Sequence, residues 1–186
     1  MEIKGSAVKS IPDFIKSNYR EKYDEWLFSL PEESRVIFKD AILPSKWYNL
    51  REAGIIPTEK LGELLFHDPL KGAWNCGRYS AEAALSGIYK FFIKAASPFF
   101  IISKASKIFS TYYQPSNMEV SAKGDDWVIL QISRFDDPHP VIENRIAGWI
   151  EKAIEIHGVS SVTVEISKSM VRGDKVTEIQ VHWKYS

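Results

Sequence analysis

Val141-Ile142-Glu143-Asn144-Arg145-Ile146-Ala147-Gly148-Trp149-Ile150-Glu151-Lys152-Ala153-Ile154-Glu155-Ile156 runs through His157-Gly158 toward a hairpin closed by Val171-Arg172-Gly173-Asp174-Lys175. On a helical template Ile142, Ile146, Trp149, Ala153 and Ile156 share one face. Beyond Gly158 the period changes from 3.6 to 2, and Val162, Val164 and Ile166, then Ile179, Val181 and Trp183, alternate with other residues. A helix and a hairpin whose apolar faces are in phase form a packed α+β unit. The six strand residues are therefore expected on one sheet face, beneath the helix that carries Ile146 and Trp149, with Thr163 and His182 facing out.

Two further strands are read upstream, Met118 to Ala122 and Trp127 to Ser133, joined at Lys123-Gly124-Asp125-Asp126. Phe135-Asp136-Asp137-Pro138-His139-Pro140 reads as a loop, because its prolines forbid continued pairing. Before the strands come a long helix, Gly77 to Ala96, and after Pro98 a second one through Ile108 to Tyr112. Residues 1–70 read as short helices punctuated by prolines. Pro12 suits a first turn, a second helix stops before Pro31, and a third opens with the acidic Glu32 and Glu33. Ile42 to Tyr48 reads as a connector, and Thr58 as the cap of a helix from Glu59 to His67. The order is N-terminal helices, then a long helix pair and an antiparallel sheet of about four strands in the order ββαββ, an α+β fold. A single domain over 1–186 is expected, with 1–70 its helical part and 71–186 an α+β core.

The chain has 186 residues, 45% of them hydrophobic, which suffices to bury on the order of 70% of the unfolded surface. Its 24 basic and 24 acidic side chains cancel, so no broad field exists to draw nucleic acid or an anionic membrane. The one cysteine, Cys76, rules out an internal disulfide and a thiolate-rich metal site and fits a reducing, cytoplasmic setting. The most apolar stretch, Ile88 to Phe109, is broken by Lys90, Lys94, Pro98, Lys104 and Lys107 and is no membrane span. The four histidines, His67, His139, His157 and His182, form no pair with metal-ligand spacing, and neither a nucleophile elbow nor a phosphate cradle is present. No catalytic residue and no metal site is expected, and the chain is read as a non-enzyme.

Small residues cluster in Ser80-Ala81-Glu82-Ala83-Ala84-Leu85-Ser86-Gly87, followed by the bulky Ile88-Tyr89-Lys90-Phe91-Phe92-Ile93. A mid-helix glycine costs about 1 kcal/mol relative to alanine, so Gly87, and likewise Gly148, should serve close packing or leave room for a ligand. Cys76, ahead of the expected helix start, would have a lowered pKa there and act as a reactive thiol; the ordinary reading is a small buried hydrophobe.

Gly148-Trp149-Ile150-Glu151-Lys152-Ala153-Ile154-Glu155, followed by Gly173-Asp174-Lys175-Val176-Thr177-Glu178-Ile179-Gln180-Val181, resembles the C-terminal signature of a superfamily of ligand-binding domains. The superfamily comprises the haem-nitric-oxide/oxygen-binding (H-NOX) domains, the four-vinyl-reductase-type domain and the TRAPP vesicle-tethering subunits. Lys4-Gly5-Ser6-Ala7-Val8 with Tyr23-Asp24-Glu25 resembles the start of H-NOX domains, and Trp47-Tyr48 and Ala95-Ala96-Ser97-Pro98 are similar to bacterial relatives. For H-NOX domains the resemblance implies a proximal histidine in or just beyond the long helix and a Tyr-x-Ser-x-Arg clamp on the haem propionates. This chain has no histidine between His67 and His139, and Gln131-Ile132-Ser133-Arg134 replaces the clamp. The expectation is thus no cofactor, with haem disfavoured. For TRAPP subunits the resemblance implies a cysteine that carries an acyl chain, which makes Cys76 a candidate for acylation. The expected function is binding of a small apolar ligand by Tyr89, Phe92, Phe99, Ile146 and Trp149, with occupancy passed to a protein partner. The alternatives are a TRAPP-like assembly module, dimerising through a helical face, and a haem sensor.

Overall fold

A computed structural model describes residues 1–86 and 96–185. Strand β1 (Glu2–Lys4) runs antiparallel between β2 (Trp47–Asn49) and β3 (Tyr113–Gln114), with the fully buried Ile3 opposite Tyr48 and Tyr113. This small sheet was not legible, because strands of two or three residues show no period; the expected connector Ile42 to Tyr48 runs into β2. Helix α1 (Gly5–Asn18) follows β1 directly. Gly5 donates its N–H to Lys46 O at 2.8 Å, and a Cβ there would lie 2.0 Å from Leu43 O, so the helix starts where the backbones touch. Pro12 consequently lies inside α1 and not in its first turn.

Helices α2 (Tyr23–Ser29) and α3 (Glu32–Lys39) close over Trp26, whose ring nitrogen donates to Pro57 O at 2.9 Å. A π-helical turn, Arg51–Ile55, then runs straight into α4 (Ile56–Phe66). Thr58 therefore does not cap: it is buried within α4 and donates its hydroxyl to Gly54 O at 2.7 Å, the back-bond to i−4 open to threonine in a helix. Helix α5 (Pro69–Ala84) begins eight positions before the expected Gly77, with Asp68 accepting from Leu70 N and Lys71 N and Pro69 at its first position. Its last residue is Ala84; Leu85, Ser86 and Ala96 of the expected long helix are not helical, and residues 87–95, Gly87 among them, lie outside the described residues. Helix α6 (Pro98–Ile108) is capped by Ser97.

The second sheet holds β4 (Asn117–Lys123), β5 (Trp127–Ser133), β6 (Ser161–Lys168) and β7 (Thr177–Lys184) in the order β4-β5-β7-β6, all antiparallel. Val162 pairs with Trp183, Val164 with Val181 and Ile166 with Ile179, so these six share one face, as the phase of the sequence required. Val128, Leu130 and Ile132 of β5 extend that face, while Thr163 and His182 are exposed. Helix α7 (Pro140–His157), which ends at left-handed Gly158, covers it. The fold class is thus α+β with two antiparallel sheets. Among the described residues no helix is long and apolar enough to cross a membrane.

Burial of α7 exceeds a single stripe, because its opposite side packs along α5. A Cβ at Gly77 would lie 2.0 Å from Arg145 O, and one at Gly148 would lie 2.2 Å from Trp74 O. Two glycines on facing helices thus bring backbone against backbone. Beside this crossing Arg78 forks between Glu151 and Glu155, reaching Glu155 Oε2 at 2.7 Å, while Trp74 Nε1 donates to Glu151 at 2.8 Å. At the other end of α7, the buried Glu143 accepts from the hydroxyls of Thr177 and Ser169. Ser169 N in turn donates to Asp174 Oδ2 at 2.8 Å. Asp174 and Thr177 of the Gly-Asp-x-x-Thr-Glu-Ile run therefore fasten the hairpin tip to the first turns of α7.

Gly77→Ala and Gly148→Ala should each lower the unfolding free energy by about 2 to 3 kcal/mol in urea, because overpacking outweighs alanine's helix propensity of about 1 kcal/mol. Equal or greater stability would mean that the helices part without cost. On the outer sheet face the Lys168 ammonium, with Gln131 and Ser167, holds the Glu178 carboxyl at a pKa of about 2, below its ordinary 4.5. A depressed carboxyl stabilises the fold above its unfolded pKa and loses that contribution as pH falls through the folded value. Glu178→Gln should therefore flatten the decline of stability between pH 5 and 2, measured by denaturant midpoints; an unchanged slope would contradict the assignment.

Candidate ligand cavity

The glycine crossing has a consequence for the space beside it. Small side chains on α5, Ser80, Ala83 and Ala84, leave a gap that α1 and α6 do not fill, and a cavity of about 340 Å³ opens among α1, α5, α6 and α7. Ile146 and Ile150 of α7 form one wall, Ile108 with the following Phe109 a second, and Tyr113 and Met118 a third. Ser6, Ala7, Lys9, Ser10 and Asp13 of α1 supply the polar side. The β1–β3 ladder fixes Tyr113 through its pairing with Ile3, so the small sheet positions part of the wall.

Arg145 also lines this cavity, although it is only 3% exposed. Gly77 packs on its carbonyl, and its guanidinium crosses to α1, where Nη2 donates to Ala7 O and, at 2.8 Å, to Ser10 Oγ. Nη1 is buried without a hydrogen-bond partner among the described residues. The guanidinium also acts on two neighbours. Burial pushes the Cys76 thiol and the Tyr113 phenol up, and the Arg145 charge partly opposes both shifts.

Of the residues expected at a ligand site, Ile146 and Trp149 line this cavity. Phe99 does not line it; its ring lies half-buried on α6, under the Lys123 ammonium at 3.9 Å. Tyr89 and Phe92 lie outside the described residues. Cys76 sits in the third turn of α5, not at its start, because the Asp68-Pro69 cap begins the helix earlier. The helix N-terminus therefore does not activate the thiol, which is fully buried and lies off the cavity wall. Sequence reasoning missed Arg145, yet a signal existed. It stands three residues after Ile142 and four before Trp149, a charge inside an apolar stripe.

No family model matches the chain, and no curated protein matches it. Solved structures do. The chain is similar to an H-NOX protein from K. algicida in the unliganded Fe(II) state, with a TM-score of 0.72 at 10% identity, over 99% of this chain and 98% of that one. It is similar to an H-NOX protein from S. oneidensis in the Fe(II)NO state, with a TM-score of 0.73 at 11% identity, over 98% and 99% of the two chains. A third, the H-NOX domain from Shewanella oneidensis in the Fe(II)CO state, gives 0.73 at 10% identity over 99% and 100%. The chain thus has an H-NOX-like fold.

That finding overturns the expectation of a chain without cofactor and with haem disfavoured, since the structures that share this fold are H-NOX proteins in iron(II) ligation states. The expectation failed because it judged a three-dimensional site by one histidine and one linear motif. A cavity collects side chains from separate elements, and Arg145 reaches this one from α7, outside any Tyr-x-Ser-x-Arg spacing.

Burial of Cys76 has a direct chemical readout. The native chain should react with an aromatic disulfide reagent at least about a hundredfold more slowly than the chain in urea, because the thiolate is both disfavoured and covered. Prompt stoichiometric labelling of the folded chain would contradict this environment.

Proposed function

We propose that this chain is a ligand-binding sensory domain of the H-NOX kind, with a haem held in the cavity among α1, α5, α6 and α7. The observation that carries the reading is a 340 Å³ cavity, walled largely by apolar side chains with a polar side on α1 and the buried Arg145, in a chain that matches H-NOX structures over nearly its whole length. Such volume and lining suit a small-molecule site. They favour a binding domain over a TRAPP-like assembly module with a filled interior. When bound, haem supplies an iron that takes a diatomic gas.

The chain's own residues would then have three tasks. Arg145 would hold a propionate at the polar side. Ile108, Ile146 and Ile150 would exclude water from the macrocycle. The lining side chains with a donor atom for iron include Met118, Tyr79, Tyr112 and Tyr113, beside the ion-paired Lys9 and Asp13, and the four histidines do not line the cavity. A histidine-to-glycine variant of the Shewanella oneidensis domain has been solved in the Fe(II)CO state, so that state exists in this fold with that histidine replaced. Arg145 bridges α7 to α1, and displacement of that bridge would carry occupancy to the N-terminal helices and to a protein partner.

A second reading is supported by the same wall. The absence of imidazole from the lining favours a small apolar molecule bound without iron. Titration with haem under reducing conditions decides between the two. The haem reading expects a saturable 1:1 Soret band that shifts on adding carbon monoxide and is lost in Ala105→Trp, which fills the cavity from α6 while the chain stays folded by circular dichroism. Unsaturable, non-specific haem uptake that Ala105→Trp leaves unchanged would overturn it. In that case a thermal shift by apolar probes, abolished in the same variant, would support the second reading.

A further inference from the structure

The Arg145 guanidinium is buried without a counter-ion among the described residues. Removing an arginine charge from water is strongly unfavourable unless a carboxylate or an equivalent set of acceptors compensates it. Here α1 supplies two neutral acceptors, Ala7 O and Ser10 Oγ, and both go to Nη2. The acids on the packed elements are committed elsewhere. Asp13, on the cavity wall, is paired with Lys9 at 2.6 Å. Glu143, on the same helix, takes the Thr177 and Ser169 hydroxyls. Glu151 takes Arg78 and Trp74, and Glu155 takes Arg78. Nη1 is left buried and without a partner among the described residues, on a side chain that lines the cavity.

We infer that Arg145 is the anchor for a ligand carboxylate, and that the cavity takes a molecule with an apolar body and a carboxylate at one edge. A turn of the guanidinium toward the cavity would bring Nη1, which has no accessible surface here, onto a carboxylate oxygen, satisfying the orphaned donor and neutralising the buried charge in one contact. A neutral apolar ligand would fill the space and leave Nη1 unsatisfied. A phosphate or nucleotide would bring two charges to one buried guanidinium and a sugar to walls formed by Ile108, Phe109, Ile146 and Ile150. Two sources share the required chemistry, the propionate edge of a porphyrin and the headgroup of a fatty or aromatic acid. The porphyrin source rests on the function proposed above; the fatty-acid source does not.

The test compares each acid with its methyl ester, which keeps the body and removes the anion. The probes are haem against haem dimethyl ester and dodecanoate against methyl dodecanoate, bound to the full chain at pH 7.5. The expected result is at least tenfold tighter binding of the acid in one of the pairs. Arg145→Gln, which retains donors for Ala7 O and Ser10 Oγ, should abolish that preference and leave ester affinity within about twofold. Acid preference should also fade below about pH 5, where a dissolved carboxylate takes up its proton. Preference for the acid in the haem pair supports both the anchor and the haem reading, whereas preference for dodecanoate with no haem uptake supports the anchor and sinks the haem reading. Haem and its diester binding equally would keep the haem reading and overturn the anchor. Equal loss of acid and ester in Arg145→Gln would show a purely structural arginine. The acid–ester comparison on the unaltered chain stands even if that variant fails to fold, and failure of every probe overturns the inference.

Discussion

The contact on which the rest of this structure depends is the meeting of two backbones, α5 at Gly77 and α7 at Gly148, with no side chain between them. Two helices in such contact sit closer than any pair with intervening side chains. The closeness buries the second side of α7, so this helix becomes the shared layer between the sheet and the N-terminal helices. It also fixes the backbone of Arg145, whose carbonyl is the atom that Gly77 packs on. A loosened crossing would move the wall of the cavity and the guanidinium together.

Polar groups secure the ends of that helix where packing alone would let it slide. Glu143 at the start ties α7 to the hairpin tip through two hydroxyls, and Glu151 with Glu155 ties its later turns to Arg78 and Trp74 of α5. The two devices differ in weight. Glu143 is buried, so loss of Thr177 or Ser169 leaves an acceptor without compensation, whereas the Arg78 fork is partly solvated and weaker for each charge it holds. Together they set the register of α7 on both neighbours.

At the cavity two costs of the fold fall together. Space that neighbouring side chains could fill costs dispersion contacts, and a buried guanidinium with an idle donor costs solvation. Protein interiors tend to remove both. Their coincidence at one wall, in a fold shared with H-NOX proteins of known iron ligation state, is what gives the site its functional reading.

The sequence by itself determined the terminal αββ unit, with the inward face of its hairpin, and the β4–β5 hairpin; along α7 it put Trp149 and Ile156 in the buried stripe, where they are half-buried while Ile150 and Ile154 are buried. Periods of 3.6 and 2 are local consequences of backbone geometry, and Gly158 marks the change between them with a left-handed backbone. It determined neither the small sheet nor the start of α5. A two-residue strand has no period, and the Asp68-Pro69 cap competes with a later apolar pattern that looked like the helix start. The close approach was anticipated at Gly148, but its partner, Gly77, was taken for the helix start, since a crossing depends on how α5 and α7 lie and not on either helix alone. Only the tertiary structure decided the site. Arg145, Ser10, Ile108 and Met118 come from elements far apart in the chain, and whether a buried charge finds a partner is settled by what folds against it, which no spacing along the sequence records.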